Sequence, residues 1–312
     1  MTNFILSANV VLPLFLLMAL GYIMKITGLT DDGVLKKMNA VVFKVLLPAL
    51  IINNVYTSDI SSVFSPRLLY YSAGCVILSF LVLMAVVPLF EKDNRKRGVI
   101  IQGIFRSNFV IFGVPVCLSL CGDEVAGKVA VLIAVIIPIY NFLAVITLKI
   151  FRSGKVNIGK IVKGIITNPL IISSAIGLVL LFSGIKLPSA VEKTLGDVAK
   201  TATPMALIIL GGSLKFGSIP SNIKQLTAGI VGRLIVMPGI FLTIAAALGF
   251  RGGELAILLT LFASPTAVSS YTMAQQMGAD DELAGQMVIF GTALCILTMF
   301  LWLFTLKQLA LI

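Results

Sequence analysis

Histidine is absent from this 312-residue sequence, and carboxylates are few, with 13 Asp and Glu against 24 Lys and Arg. Histidine is the side chain that most often relays protons near neutral pH, and it is the commonest metal ligand. Its absence excludes histidine-based catalytic triads, zincins and haem attachment. Any proton chemistry therefore falls to the carboxylates, and we expect no metal site.

Cysteine is also rare, and no Cys-x-x-Cys pair occurs. The four cysteines lie within or at the ends of apolar segments: Cys75, Cys117, Cys121 and Cys295. This placement favours buried free thiols over a redox or metal-binding pair.

Catalytic signatures are missing as well, since neither GxSxG nor GxGxxG is present. The segment 122–129 matches the first seven positions of a phosphate-binding loop. Val129 stands where a Ser or Thr would hold magnesium, and no strand precedes the segment. We interpret the segment as an outer loop, and we expect neither an enzyme nor a cofactor.

Apolar residues make up 58% of the chain and charged residues 12%, with a mean hydropathy of +1.07. A chain of this composition has too few polar residues to cover a single hydrophobic core with a water-facing surface. The basic residues fall in short clusters between apolar runs, which is typical of membrane topology and not of a nucleic-acid-binding surface. We therefore predict an all-α polytopic membrane protein embedded in a lipid bilayer, with no nucleic-acid partner.

Stretches of about 20 apolar residues predict ten transmembrane helices. The predicted spans are 4–24, 38–56, 67–90, 99–121, 129–150, 165–183, 201–215, 226–249, 254–277 and 284–306. With the N-terminus outside, inner connections hold 14 basic residues and outer segments 7, leaving Lys44, Arg106 and Arg233 within spans. This bias predicts both termini outside and the loops 91–98 and 151–164 inside. We expect the first span to be retained, since it has no signal-peptide cleavage site.

An internal repeat is indicated by prolines and glycines that recur at fixed offsets. A shift of 156 residues aligns four pairs: Pro13 with Pro169, Gly21 with Gly177, Gly28 with Gly184, and Pro48 with Pro204. A shift of 150 then aligns Pro88 with Pro238 and Pro115 with Pro265, among others. We interpret residues 1–155 and 156–312 as two five-helix repeats. An odd number of spans inverts the second repeat in the membrane, as in secondary transporters. The alternative is that proline and glycine are simply frequent in transmembrane helices.

Two spans contain a proline beside another helix-weakening residue. Gly113 and Pro115 lie in the fourth span, and Ser264, Pro265 and Thr266 lie in the ninth. Proline frees backbone polar groups that hydrocarbon cannot satisfy, so such breaks persist where they line a polar cavity. The N-termini of half-helices at a break favour an anion such as a carboxylate.

Arg106 and Asn108 add polar groups to the fourth span. An arginine at a helix centre costs about 2.5 to 3.5 kcal/mol, so its side chain should face protein or water. Arg106 is then either a substrate contact or a structural pairing residue. Asn108 offers both a donor and an acceptor, which suits a carboxylate or a hydroxyl.

The run from Ser107 to Pro115, followed by Cys121-Gly-Asp, resembles the fourth-helix motif of the auxin efflux carrier family, with matches at Asn108, Gly113 and Pro115. The segments 263–267 and 277–284 resemble those of bacterial members, often described as malate or malonate permeases. The chain departs from plant members in lacking their long hydrophilic loop between spans 5 and 6.

The resemblance implies ten helices with crossing breaks in helices 4 and 9. It also implies a scaffold of helices 1, 2, 6 and 7, a mobile transport bundle of helices 3–5 and 8–10, homodimers and elevator-like alternating access. Asn108 is implied as a substrate contact, and Pro115 and Pro265 as the crossing prolines.

These observations predict a secondary transporter, an efflux carrier or permease, that moves a small mono- or dicarboxylate across the cell membrane. No carboxylate lies deep in a span, so we expect the substrate gradient and the membrane potential to drive transport. Two alternatives stay open: a sodium- or proton-coupled carrier of another solute on a related inverted-repeat fold, and a membrane sensor that binds ligand without transporting it.

Overall fold

The computed structural model describes residues 2–58, 65–152, 158–214 and 219–312, and these residues form helices with no named strand. The α-helices are α1 Thr2–Ile26, α2 Asp32–Val41, α3 Leu47–Tyr56, α4 Pro66–Phe90, α5 Asn94–Phe105, α6 Val114–Cys121, α7 Ala126–Arg152, α8 Ile158–Ile166, α9 Pro169–Ser183, α10 Ser189–Ser213, α11 Ile219–Val231, α12 Met237–Ala247, α13 Gly252–Ala263, α14 Ser269–Met277 and α15 Asp281–Gln308. The all-helical prediction is confirmed for this part of the chain.

Five helices are long and apolar enough to cross a membrane: Asp32–Tyr56, Pro66–Phe90, Ala126–Arg152, Pro220–Ala247 and Asp281–Gln308. Four shorter apolar helices accompany them: Leu12–Ile26, Phe109–Cys121, Pro169–Ser183 and Gly252–Ala263. A helix crossing the hydrocarbon layer satisfies its own backbone groups, which explains why the described part of this apolar chain folds into helices and contains no named strand. The chain is therefore built as a multi-pass membrane protein.

Two predicted boundaries are wrong. The span predicted at 201–215 belongs to α10, which begins at Ser189 directly after Pro188. Proline has no N–H to leave unpaired and is favoured at helix starts, so the helix extends to it across polar residues. The outer loop predicted at 122–129 is only the 3₁₀ turn Gly122–Val125, because the apolar pattern of α7 begins at Ala126.

Three prolines are each preceded by a five-residue π-helix. The π-helices Val42–Leu46, Phe109–Gly113 and Gly232–Val236 end two residues before Pro48, Pro115 and Pro238, respectively. In each, the residue just before the proline donates its N–H to the carbonyl five residues back. The wider turn relieves the clash that proline makes with a carbonyl four residues earlier. These prolines therefore bend a continuous helix without breaking it.

Helix boundaries recur at a nearly constant offset. Asp32 and Ser189 are 157 residues apart, as are Tyr56 and Ser213 at the other end of the same helical segments. The helices α5 and α13 are both 12 residues long and are offset by 158 at both ends. These helix ends do not follow the shift of 150 that aligned Pro115 with Pro265.

The helices α1 and α10 touch through their backbones. A Cβ atom on Gly21 would lie 1.8 Å from the Ile208 carbonyl oxygen, and one on Gly211 would lie 1.9 Å from the Met18 carbonyl oxygen. Only glycine fits at such a distance, and small residues allow close helix packing in membranes. α10 also packs along α3, and α3 along α9. These helices form one group, which α7 contacts at α3 and α9 and which α15 contacts at α1.

The cysteine prediction holds in the structure. All four cysteines are free thiols, and Cys75, Cys117 and Cys295 are buried. Cys121, at the end of α6, is partly exposed.

Candidate functional site

Two helical segments are interrupted, and their interruptions cross. The first interruption covers Arg106–Asn108, between α5 and the π-helix that leads into α6. The second covers Ser264–Val268, between α13 and α14. Ser107 and Thr266 form an isolated antiparallel bridge where the two extended segments meet. We call this region the crossing.

Backbone hydrogen bonds hold the crossing together. The Asn108 N–H donates to the Pro265 carbonyl over 2.8 Å, and the Ala267 N–H donates to the Arg106 carbonyl over 3.3 Å. Each extended segment therefore satisfies polar groups that the other leaves unpaired, which is what an apolar environment requires of a broken helix. The break at Ser264–Thr266 lies where the proline pattern placed it.

The break in the fourth span lies elsewhere than predicted. It falls seven residues or more before Pro115, which the π-helix Phe109–Gly113 accommodates in a continuous helix. Gly113 still contributes to the crossing, because a Cβ there would lie 2.9 Å from both the Ser264 Oγ and the Thr260 carbonyl oxygen. The prediction of a break at Gly113–Pro115 is wrong, and the role of Gly113 is close packing against α13.

A cavity of about 70 Å³ opens beside the crossing. Of the seven residues that the sequence predicted for the breaks and the anion site, the structure brings Arg106 and Asn108 to this cavity. The other five lie in the crossing or near it without lining the cavity: Gly113, Pro115, Ser264, Pro265 and Thr266. The full lining is Leu47, Leu50, Ile51, Asn54, Arg106, Ser107, Asn108, Phe109, Val110, Ile111, Ile137, Tyr140, Asn141, Leu170, Ala267 and Ser269.

Four buried side-chain groups that can donate have no hydrogen-bond partner in this lining. They are the Ser107 Oγ, the Asn108 Nδ2, the Tyr140 Oη and the Asn141 Nδ2, and all four side chains are at least 97% buried. An unsatisfied buried polar group costs about 1 to 3 kcal/mol. A ligand with several acceptor atoms would satisfy these groups.

Arg106 supplies the positive charge of the cavity. Its buried guanidinium donates to the Asn141 Oδ1 over 2.7 Å and also contacts the Met273 Sδ. No Asp or Glu occurs among the described residues that line the cavity. No local sequence pattern distinguishes Asn141 as a site residue, because an asparagine in an apolar helix serves equally well in an interhelical hydrogen bond.

Two helix N-termini face the same space. The helical segment Phe109–Cys121 begins at the cavity with Phe109, Val110 and Ile111, and α14 begins there with Ser269. The first N–H groups of a helix have no intrahelical partner and carry a partial positive charge. Together with Arg106, they make the cavity suited to an anion.

Arg233 also reaches the crossing, from the π-helix Gly232–Val236. It lies outside the cavity lining and is 1% exposed. From sequence it was only one of three basic residues within spans. A sequence signal for this contact exists. An arginine within a span, with no acidic residue near it in the chain, has to donate to backbone carbonyl oxygens.

Comparison with known proteins gives a consistent result. A family model described as "Membrane transport protein" matches residues 7–160 and 155–303. An "Uncharacterized transporter" of Methanocaldococcus jannaschii is 24% identical over 301 residues, covering 94% of this chain and 97% of that protein. One of Methanothermobacter thermautotrophicus is 25% identical, covering 95% and 97%. A "Putative malonate transporter" of Rhizobium meliloti is 22% identical over 298 residues, covering 93% and 92%.

Proposed function

The chain belongs to the membrane transport protein family, as its resemblance to the auxin efflux carriers predicted, and we propose that it is a secondary transporter of small organic anions. The substrate class is a mono- or dicarboxylate. One observation carries this proposal: Arg106 and four unpartnered donors line one cavity whose described lining contains no carboxylate.

The charge and hydrogen-bonding capacity of the cavity favour an anion over an amine. A carboxylate brings acceptor atoms for the free Asn108 and Asn141 amide nitrogens and a negative charge for Arg106. An ammonium group brings further donors and places a second positive charge beside a buried guanidinium, which is strongly unfavourable where water does not screen it. The helix N-termini at Phe109 and Ser269 act in the same direction.

The cavity size favours a short substrate. A volume of about 70 Å³ corresponds to roughly five water-sized spheres at about 10 to 15 Å³ each, hence to a ligand of about five to seven non-hydrogen atoms. Three-carbon carboxylates such as propionate, with about five non-hydrogen atoms, and malonate, with about seven, are in this range. The relative from Rhizobium meliloti carries the name of one such compound, malonate, which makes malonate the first substrate to test.

The arrangement of the lining supports an elevator mechanism. All polar groups discussed above come from the crossing and from α7, whereas α3 and α9 contribute mostly apolar residues such as Leu47, Leu50 and Leu170. A bundle that moves as one body past an apolar wall of α3 and α9 would carry the whole polar site with it. The proposed scaffold is therefore α1, α2, α3, α9 and α10, matching helices 1, 2, 6 and 7 of two inverted five-helix repeats. The helix offsets near 157 support the repeat.

The proposal includes the cell membrane as the location, both termini outside, and a homodimer. In this orientation α14 ends and α15 begins on the inner side. One break then belongs to each repeat, and the two breaks meet within the bilayer. A site at that depth can be opened to either side in turn, as alternating access requires.

Isothermal titration calorimetry of the detergent-purified protein tests the substrate class directly. The panel is acetate, malonate and malate, with malonamide as the uncharged analogue and 1,3-diaminopropane as the cation. We expect saturable binding of at least one carboxylate and no binding of malonamide or the diamine. Tighter binding of the diamine than of every carboxylate contradicts the proposal.

Uptake into sealed proteoliposomes separates a transporter from a sensor. Saturable entry of radiolabelled malonate, inhibited by the same unlabelled carboxylates that bind, is the expected result. Binding in the calorimeter without flux in liposomes would assign the protein to the sensor class instead.

A further inference from the structure

The guanidinium of Arg233 joins the ends of two different half-helices. Its Nε donates to the Ser264 carbonyl over 2.7 Å, and one terminal nitrogen donates to the Leu261 carbonyl over 3.0 Å. The other terminal nitrogen donates to the carbonyls of Ile104 at 3.0 Å and Phe105 at 3.5 Å. Every nitrogen of this buried side chain is therefore bonded to backbone at the crossing.

These contacts complete the carboxyl end of α5. The last four carbonyls of an α-helix have no intrahelical partner. In α5 the Gln102 carbonyl accepts from the Arg106 N–H over 3.0 Å, and the Gly103 carbonyl accepts from the Thr266 Oγ1 over 2.7 Å. The two that follow accept from Arg233. No carbonyl of this terminal turn is left unpaired in the interior.

Three of the last four carbonyls of α13 are satisfied in a similar way. Its Thr260 carbonyl accepts from the Ser264 hydroxyl, and its Ala263 carbonyl accepts from the Cys295 thiol over 3.4 Å. The Leu261 and Ser264 carbonyls accept from Arg233. One side chain from a third helical segment thus fixes the ends of α5 and α13 relative to each other.

The charge of Arg233 is balanced by the helix ends. In the described part of the chain no carboxylate forms an ion pair with Arg233. A helix C-terminus carries roughly half a negative elementary charge, so two of them offset about one guanidinium. Lysine cannot reproduce this arrangement, because its single nitrogen cannot reach four carbonyls as a planar guanidinium does.

We propose that Arg233 is a positioning residue for the anion site: by holding the carboxyl ends of α5 and α13 together, it places Asn108 and Arg106 at the cavity. Arg106 and Asn108 directly follow α5, so a shift of its end moves both. This inference rests on the proposed function, since it assumes that the cavity binds a carboxylate.

A double-mutant cycle distinguishes positioning from a general structural role. Calorimetry with malonate, or with acetate where malonate does not bind, is run on the parent, Arg233→Lys, Asn108→Ala and the double variant. We expect Arg233→Lys to weaken binding at least tenfold while the protein elutes as a single folded species. In the lysine variant Asn108 is no longer held at the cavity. Adding Asn108→Ala to that variant should therefore weaken malonate binding less than threefold, whereas it should weaken binding at least tenfold in the parent.

The matched control is Arg97→Lys. Arg97 also donates to backbone carbonyls at a helix end, those of Glu91 and Pro88 at the end of α4, away from the cavity. We expect its variant to bind within twofold of the parent. Arg233→Gln, which keeps amide donors without the charge, repeats the cycle if the lysine variant does not fold.

The outcomes separate the two proposals. A parent that binds no carboxylate overturns the proposed function and this inference with it. This inference alone is overturned if the parent binds a carboxylate and Arg233→Lys binds it equally well. It is also overturned if the affinity losses of Arg233→Lys and Asn108→Ala are simply additive in the double variant. Loss of folded protein in both Arg233 variants also overturns it, because the residue would then serve folding and not placement of the site.

Discussion

The Asn141 Oδ1, on α7, accepts a hydrogen bond over 2.7 Å from the guanidinium of Arg106, which lies in the crossing. A guanidinium only donates, so this bond fixes the orientation of the amide. The Asn141 Nδ2 is thereby left as a donor without a partner, in the lining of the cavity. The pair thus presents a positive charge and a directed N–H group to the same ligand.

Asn141→Asp should abolish anion binding. The substitution keeps the size of the side chain and replaces the free N–H group with a carboxylate that pairs with Arg106. We expect the affinity for malonate, measured by calorimetry, to fall at least a hundredfold while the protein stays folded. Asn53→Asp, on α3 away from the cavity lining, is the matched control. Unchanged affinity in Asn141→Asp means that Arg106 does not face the ligand.

Asn108→Ala should weaken carboxylate binding by at least tenfold. A hydrogen bond to a charged ligand contributes about 1.5 to 3 kcal/mol, which corresponds to roughly tenfold to over a hundredfold in the dissociation constant. Asn53→Ala removes the same group from a position that does not line the cavity and should change the affinity less than twofold. Equal affinities for parent and Asn108→Ala remove Asn108 from the site.

Gly113→Ala should impair transport more than Pro115→Ala does. A methyl group at Gly113 meets the Thr260 carbonyl at 2.9 Å and must push α13 away. Pro115 lies in a continuous helix after a π-turn, so its replacement leaves the crossing in place. We expect at least a tenfold loss of initial uptake rate in liposomes for Gly113→Ala and less than threefold for Pro115→Ala. A larger loss of uptake rate in Pro115→Ala than in Gly113→Ala would mean that Pro115 marks the functional break in this helix.

Cysteine labelling should place Lys92 inside and Lys186 outside. Both residues are exposed in connections between helices. On a background lacking the four native cysteines, an impermeant maleimide added to intact cells should modify Lys186→Cys and reach Lys92→Cys only after permeabilisation. The opposite labelling pattern would show that the orientation predicted from the distribution of basic residues is wrong.

Transport should persist without a sodium or proton gradient. No carboxylate is present in the described cavity lining, and the sequence has no histidine to carry a proton. With the membrane potential clamped, abolishing either ion gradient should reduce malonate flux by less than twofold. A collapse of flux under one of these conditions identifies the coupling ion and favours the ion-coupled alternative.

The sequence by itself, through hydropathy and residue chemistry, determined that this protein is helical and multi-pass and identified several residues of the crossing. Apolar runs predicted the helices, because a chain in hydrocarbon must satisfy its backbone within each span. Pro265 marked a true break, and Arg106 and Asn108 stood out because polar side chains in a span are costly. These are local properties, and each is readable within a few turns of helix.

Only the tertiary structure decided how those groups are arranged. Pro115 predicted a break at the wrong place, because a π-turn before it absorbs the distortion that a local proline rule counts as a break. Asn141 became part of the site by pairing with Arg106, 35 residues away. Arg233 bonds to the Ile104 carbonyl across 129 residues. Which carbonyls a broken helix leaves free, and which side chain reaches them, depends on how distant helices pack, and no local sequence pattern contains that information.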